Sequence, residues 1–285
     1  MRVLVLTSAT LVCFAANSLL TRAALDAGRL DWPTFTIVRL ASGTAMLWLL
    51  VRARKAPAGE RGTWFGAAAL AGYAVAFTLA YTRIGAAAGA LLLFGAVQAT
   101  MIGVGLVRGE RPARLDWLGV ALAVAGLIVL TRPGALRPDP IGATLMVAAG
   151  VCWGVYSLLG RRSRDPLAAT AGNFARATAL ALVAVAALFA RMHVTWPGLA
   201  LAIASGAIAS GLGYTIWYTV LPSLAAWRAA VVQLIVPVLT AIAAVFLLGE
   251  AITPRLIAAG ALIAAGVGLT LWTASASARP PRRSA

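Results

Sequence analysis

Long apolar runs without charge alternate with short charged segments along the whole chain. A helix that crosses the hydrocarbon core of a bilayer needs about 20 mostly apolar residues. Runs of that length are Val3–Thr21, Gly62–Thr82, Ile84–Val107, Pro140–Gly160 and Leu256–Ala278. Two shorter runs reach the length of a span only by crossing one arginine each, and these are Leu40–Val51 with Arg39 and Ala177–Ala190 with Arg176. These runs predict seven membrane-spanning helices.

Three more helices come from segments that fit the pattern less directly. Trp117–Thr131 has 15 residues, so to cross a bilayer the helix must extend to Leu115 and to Arg114 and Arg132, whose side chains would snorkel to the interfaces. The segment from 194 to 227 carries no charge over 34 residues, which is too long for one span and too short for two separate ones. Pro222 supplies a break, which predicts helices near 198–220 and 229–249. The total is ten.

The chain also contains an internal repeat. The segment 12–22 lies over 151–161 at an offset of 139, and six of the eleven aligned residues are identical. Arg39 matches Arg176 at an offset of 137, and the pair Gly109-Glu110 matches Gly249-Glu250 at 140. Because these matches run in order along five helices, we predict two copies of one unit, 1–137 and 138–285.

The number of helices in each copy fixes how the copies are related. Five crossings are odd, so the second copy must enter the membrane from the opposite side. The predicted fold is an all-α integral membrane protein, with ten transmembrane helices arranged as two inverted five-helix repeats around a central cavity. Transporters use inverted repeats because two equivalent halves can exchange conformations and so alternate access between the two sides.

Composition agrees with a membrane protein and gives its orientation. Hydrophobic residues make up 61% of the chain and charged ones 11%, against about 25% charged in a soluble protein. The net charge of +16 comes from short basic clusters between apolar runs, which argues against nucleic-acid binding. Fifteen of the 24 basic residues fall on the side of the N-terminus and seven on the other, which predicts that both termini are cytoplasmic.

Residues for metal binding or catalysis are scarce. His193 has no Cys or His near it in the sequence, and Cys13 and Cys152 lie within apolar runs. No P-loop, dinucleotide fingerprint, nucleophile elbow or zinc spacing occurs. We therefore expect no metal, no cofactor and no enzymatic activity. All eight acids fall in loops or at the ends of spans, so none is predicted in the middle of the membrane.

These features together resemble a known family. The Arg in the second and seventh helices, the Gly-Glu that ends the fourth and ninth, and Pro237 are similar to the ten-helix EamA-type permeases of the drug/metabolite transporter (DMT) superfamily. The fourth helix departs from that pattern, because Val97-Gln98 stands where a Pro is expected. The resemblance implies a basket of ten helices around a cavity and the export or exchange of small metabolites.

Arg39 and Arg176 are the first candidates for substrate contacts. A charge at depth in the membrane is costly, so it normally marks a function or a buried partner. Arg39 lies about 10 Å along its helix from the outer end. One interpretation is that these arginines bind the carboxylate of an anionic or zwitterionic substrate. The alternative is that each ties helices together or snorkels to the nearer interface.

Uncharged polar and aromatic residues complete the predicted binding site. Each lies within a span, where it either faces the cavity or, for tyrosine and tryptophan, joins an interfacial belt. The candidates are Asn17, Gln98, Trp153, Tyr156, Asn173, Tyr214 and Gln233. Glu110 and Glu250 are instead expected to orient the turn into the next helix.

The leading hypothesis is a secondary transporter of the bacterial cytoplasmic (inner) membrane. It would export or exchange small metabolites, amino acids or related zwitterions above all, by alternating access. The alternative is a multidrug exporter of lipophilic compounds, which a titratable acid in the spans would favour. The expected partners are a small-molecule substrate and the lipid bilayer, and the chain is compatible with a monomeric assembly.

Overall fold

A computed structural model describes residues 2–25, 28–54, 61–84, 86–131, 139–186, 193–248 and 253–277. The predicted boundary between the two copies, at 137/138, and the second Gly-Glu pair, Gly249-Glu250, lie outside these residues. Within them the chain is almost entirely helical. The helices are α1 (Arg2–Leu25), α2 (Trp32–Ala53), α3 (Trp64–Tyr81), α4 (Ala86–Val107), α5 (Arg114–Thr131), α6 (Pro140–Gly160), α7 (Pro166–Val185), α8 (Trp196–Ala204), α9 (Gly213–Val220), α10 (Ala226–Gln233), α11 (Ile235–Leu248) and α12 (Pro254–Ser277).

These helices confirm the predicted spans. In the described part of the chain nine apolar helical segments are long enough to cross a membrane, and α5 is the remaining predicted crossing. α5 begins at Arg114, as expected for a helix that borrows its flanking residues, and its 18 residues extend about 27 Å. Large apolar side chains such as Val107, Val183 and Phe246 are mostly exposed, which is the surface that lipid would cover. The chain is an all-α membrane protein.

Side-chain caps start several of the helices. Asp31 accepts a hydrogen bond from the backbone N–H of Thr34 at 3.0 Å, and Asp165 accepts one from Ala168 at 3.2 Å. A proline follows each aspartate within the first turn, where its missing N–H costs nothing. The combination of a capping Asp with a Pro in the first turn therefore fixes where α2 and α7 begin.

The ninth crossing consists of two helices because of Pro237. α10 ends at Gln233 and α11 begins at Ile235. Pro237 cannot donate to the carbonyl of Gln233, four residues earlier, and its ring would clash with that carbonyl in a regular helix. α4 lacks the corresponding proline and runs without a break from Ala86 to Val107. Pro237 therefore accounts for the irregularity in the ninth crossing.

The eighth crossing contains a feature that the sequence did not predict. Between α8 and α9 the chain forms a π-helical segment, Ser205–Leu212, and α8, this segment and α9 together make one crossing. Gly206 packs so closely on α2 that an added Cβ would lie 2.0 Å from the carbonyl oxygen of Arg39. π-helical segments are rare and frequently occur at functional sites.

Helices pack in pairs that join the two predicted copies. α2 packs against α7, α3 against α6, and α5 along α12. At the α5–α12 contact, a Cβ on Gly266 would lie 2.4 Å from the carbonyl oxygen of Gly119, so only glycine permits this approach. We name the two ends of the bundle by the start of α1: the N-terminal face holds the beginning of α1 and the end of α2, and the opposite face holds their other ends.

Candidate functional site

A small cavity lies in the interior of the bundle, where α1, α3, α4, α6, α9, α10 and α11 meet. Its volume is about 30 Å³, and its walls are mostly aromatic. The main lining residues are Phe14, Asn17, Tyr73, Trp153, Tyr214 and Gln233. A buried water needs about 10–15 Å³, so the cavity has room for about two waters. Binding of a metabolite would therefore require the surrounding helices to separate.

Arg39 lies directly behind the aromatic wall of this cavity. Its side chain is 1% exposed, its Nε donates to Ser210 Oγ at 3.0 Å, and its Nη2 donates to Tyr214 Oη at 2.6 Å. The guanidinium also lies 5.3 Å from the centre of the Tyr73 ring and 5.8 Å from that of Phe77. Aromatic faces attract a cation but do not neutralise it.

The charge of Arg39 has no acidic partner among the described residues. Its Nη1 is buried and makes no hydrogen bond. An unpaired charge in a dry interior is strongly disfavoured, so a protein that keeps one normally uses it. The free donor of Arg39 is therefore a ready site for an anionic group.

The π-helical segment organises the polar part of the cavity. Ser205 Oγ lies 2.7 Å and Ser210 Oγ 3.5 Å from Asn17 Oδ1, so both hydroxyls approach one amide oxygen. The two serines are five residues apart, and the i to i+5 winding of a π-helix brings such residues onto one face. A regular α-helix would turn one of them away. The serines were not among the predicted site residues, because their alignment exists only in the π-helical form.

A second polar group joins α6 to the break in the ninth crossing. Trp153 Nε1 donates to Gln233 Oε1 at 2.6 Å, and Gln233 Nε2 reaches the carbonyl of Ala229 at 3.1 Å and the sulfur of Met101 at 3.4 Å. Gln233 is the last residue of α10. The indole therefore connects the cavity wall to the joint between α10 and α11.

Gln98 and Tyr156 lie near the cavity but do not line it. Gln98 Nε2 donates to the carbonyl of Ala230 at 2.7 Å, which ties α4 to α10. Tyr156 is fully buried, and its ring centre lies 5.8 Å from that of Trp153 and 4.9 Å from that of Tyr218. Both side chains support the cavity wall from behind.

Asn173 and Arg176 lie apart from the cavity, toward the N-terminal face. Asn173 is buried and its Oδ1 accepts a hydrogen bond from the backbone N–H of Thr63 at 2.9 Å, at the start of α3. Arg176 is half-buried and its Nη1 donates to the carbonyls of Arg61, at 2.6 Å, and of Gly172. Its guanidinium stacks over Trp64 at 5.4 Å. The structure thus separates Arg39 and Arg176, which the sequence had treated as equivalent.

Tyr73 is a cavity residue that the sequence analysis missed. It begins a stripe of aromatic residues on α3, with Phe77 and Tyr81 following at four-residue intervals. Side chains four residues apart share a helix face, and the three rings contact each other in turn. That spacing is the signal in the sequence by which Tyr73 could have been selected.

Glu110 makes different contacts from those expected. Gly109, with φ of +84°, ends α4 and turns the chain so that Glu110 points toward the ninth crossing. The Glu110 carboxylate accepts hydrogen bonds from the backbone N–H of Ala226, at 3.0 and 2.9 Å, and from Arg161 at 2.9 Å. It therefore caps the start of α10 across the boundary between the predicted copies, instead of orienting the turn into α5.

A second acid at the N-terminal face forms an ion pair. Asp165, the cap of α7, receives two hydrogen bonds from Arg54 just after α2, with the shorter one at 2.5 Å. These bonds and the charge of Arg54 lower the pKa of Asp165, helped by the backbone N–H of Ala168, while burial opposes the shift. The pair joins the ends of α2 and α7 at this face.

Metal chemistry has no support in the described ranges, where no group of three His, Cys, Asp or Glu side chains comes together. The acids there remain at helix ends or in connections. The cavity is thus polar through amides and hydroxyls, aromatic on its walls, and cationic on one side. Such a site suits a small solute with an anionic group and few apolar atoms.

The chain is similar to several known proteins. The EamA-like transporter family matches residues 140–272. The uncharacterized protein PA1977 of Pseudomonas aeruginosa is 49% identical over 271 residues, which cover 95% of this chain and 94% of that protein. The threonine/homoserine exporter RhtA of Escherichia coli (strain K12) is 30% identical over 249 residues, 84% of this chain and 82% of the relative. A crystal structure with 23% identity has the same fold, with a TM-score of 0.78 over 93% of this chain and 99% of the other.

Proposed function

The chain belongs to the EamA-like transporter family of the DMT superfamily, and on this premise we propose that it exports small zwitterionic metabolites, amino acids above all. One relative is named an exporter and another an inner membrane transporter, so small-molecule export is its general role. The proposal concerns the cargo and the residues that hold it. Export takes place across the cytoplasmic membrane, with both termini in the cytoplasm.

The observation that carries the proposal is the unpaired charge of Arg39 beside the cavity. One of its terminal nitrogens is buried without a hydrogen-bond partner among the described residues. Its other two nitrogens bond to Tyr214, which lines the cavity, and to Ser210, which approaches the lining residue Asn17. A substrate carboxylate would supply the missing charge and acceptor. Charge-assisted hydrogen bonds of this kind are shorter and stronger than neutral ones.

The rest of the cavity suits the remainder of an amino acid. The amide oxygens of Asn17 and Gln233 can accept hydrogen bonds from an ammonium group, and they already accept them from Ser205 and Trp153. The ring of Trp153 offers a face on which a cation can rest. On binding, an amino acid would lose the water around its carboxylate and ammonium groups and gain these contacts in its place. Its two opposite charges would stay close together.

Alternating access explains how so small a cavity can serve a transporter. The cavity has room for about two waters, so in the present conformation it is too small for a substrate. The inverted repeat, 1–137 and 138–285, provides two halves that can exchange conformations and open the site to each side in turn. The break at Leu234 and the π-helical segment are the two irregular places where helices next to the cavity can bend.

Threonine and homoserine are the first substrates to test, because the relative from Escherichia coli is named for their export. Liposomes that contain the purified protein and are loaded with labelled threonine, homoserine or another amino acid of a panel should release the label faster than protein-free liposomes with the same load. Arg39→Gln should abolish the release while leaving the protein folded and inserted. Absence of flux for the whole panel would overturn the assignment to amino acids.

A multidrug exporter is the second candidate, and the aromatic walls favour it. Phe14, Tyr73 and Trp153 could stack on a flat lipophilic compound. Lipophilic cations would meet the charge of Arg39, however, so neutral compounds are the better fit. Expression in a strain without its major drug pumps should then raise resistance to such compounds. Resistance that survives Arg39→Gln would favour this candidate over amino-acid export.

A further inference from the structure

A groove on the outside of the bundle differs from the rest of the lipid-facing surface. It lies between α2 and α7 near the N-terminal face and encloses about 370 Å³. Its floor consists of small apolar side chains, including Ala171 and Ala175, and its rim carries Trp48, Arg61 and Arg176. Since Trp48 and Ala175 are exposed, the groove opens toward the bilayer.

The charges at the rim have few protein partners. Arg176 uses only Nη1 for hydrogen bonds in the described part of the chain, to two backbone carbonyls. The guanidinium of Arg61 makes no hydrogen bond or ion pair with any described residue, although its backbone carbonyl accepts from Arg176. The nearest acid that an arginine of this region engages is Asp165, which is already paired with Arg54. Within the described ranges, the positive charge at the rim is therefore not compensated by an acid.

The position of the groove matches the level of the lipid headgroups. Arg61 precedes α3 by three residues, and Trp48 lies in the last two turns of α2. Arg176 sits within α7 and extends its side chain to reach the Arg61 carbonyl, as snorkelling arginines do. Arg52 stacks over Trp48 at 3.8 Å, and Arg176 over Trp64. Exposed tryptophans and arginines together mark the interface of a bilayer.

We propose that this groove binds an anionic phospholipid, with its phosphate between Arg61 and Arg176 and an acyl chain along Ala171 and Ala175. The apolar floor selects a lipid over a soluble anion, because a soluble phosphate would leave that floor empty. The two guanidinium groups select an anionic headgroup over a zwitterionic one. Basic pockets between transmembrane helices on the cytoplasmic side of a membrane are known to bind such headgroups.

Native mass spectrometry of the detergent-purified protein tests the proposal. Phosphatidylglycerol should bind more tightly than phosphatidylcholine of the same chain length. Arg61→Gln should weaken the binding of phosphatidylglycerol by about fivefold, because one interfacial arginine is lost. Arg108→Gln removes the same charge from the same face but outside the groove, so it should leave the affinity unchanged.

A second variant tests the floor of the groove without changing its charge. Ala175→Phe fills the space for the acyl chain at an exposed position, so it should weaken phosphatidylglycerol binding while the melting temperature stays near that of the wild type. Three results would overturn the proposal. These are equal affinity for both lipids, equal losses in the Arg61 and Arg108 variants, and inorganic phosphate competing with the lipid at similar concentrations.

Discussion

Arg39 and Arg176 occupy matching positions of the predicted internal repeat, yet their surroundings are opposite. Arg39 is sealed inside the bundle, held by Ser210 and Tyr214 and flanked by aromatic rings. Arg176 reaches out of its helix to backbone carbonyls near the N-terminal face. The two halves of an inverted repeat need not keep the same chemistry, because a substrate lacks the symmetry of the fold. A matched pair in sequence therefore identified two positions, of which only one lies at the cavity.

The largest expected effect is on the rate of transport, and it should distinguish Arg39 from Arg176. Arg39→Gln removes two charge-assisted hydrogen bonds and the proposed anchor for the substrate carboxylate. Since such bonds contribute about 1.5–3 kcal/mol each, transport in liposomes should fall by roughly 100-fold or more.

Arg176→Gln is the matched control, because its bonds lie outside the cavity. It should change the rate of transport by less than about twofold in liposomes of one fixed lipid composition, since no contact of the cavity is lost. If both variants lose transport to the same extent, the distinction between the two arginines is wrong.

Ser210→Ala tests whether the π-helical segment creates the environment of Arg39. The change removes the hydroxyl that accepts a hydrogen bond from Arg39 Nε at 3.0 Å. With that bond lost, the guanidinium is held less firmly and transport should fall by about tenfold. Ile208 belongs to the same segment but is exposed to lipid, so Ile208→Ala should transport normally. Equal activity of the two variants would show that the contact between the π-helical segment and Arg39 is dispensable.

The smallest effect concerns the ion pair between Arg54 and Asp165 at the start of α7, the helix that carries Arg176. Arg54 lowers the pKa of Asp165, so the ionised pair stabilises the folded protein above the unfolded-state pKa of about 4. This stabilisation is lost as the pH falls through the lower folded-state pKa. Asp165→Asn should therefore lower the melting temperature slightly at pH 6, and the difference should vanish in strongly acidic buffer.

Arg54→Gln provides the check on this interpretation. It removes the ion pair but keeps the cap that Asp165 forms on α7, so it should reproduce the pH-dependent part of the change alone. A melting-temperature difference that stays constant down to low pH would show that the cap, and not the charge of Asp165, accounts for the effect.

Much of the candidate site could be read from sequence as a list of residues, but not as a geometry. Asn17, Trp153, Tyr214 and Gln233 were selected because polar groups in apolar spans are expensive, and all four line the cavity. The same argument also selected Asn173 and Arg176, which the fold uses at the edge of the bundle. Burial cost alone cannot distinguish a polar group that faces a cavity from one that satisfies a nearby backbone.

The sequence by itself determined the number of membrane crossings, most of their limits and the break before Pro237. Those features depend on local properties: the length of apolar runs, capping aspartates and a residue without an N–H. The tertiary structure alone decided which faces point inward, where the π-helical segment forms and which arginine is buried. The physical reason is that lipid and protein interior are both apolar, so a membrane helix carries little pattern to mark its inner face.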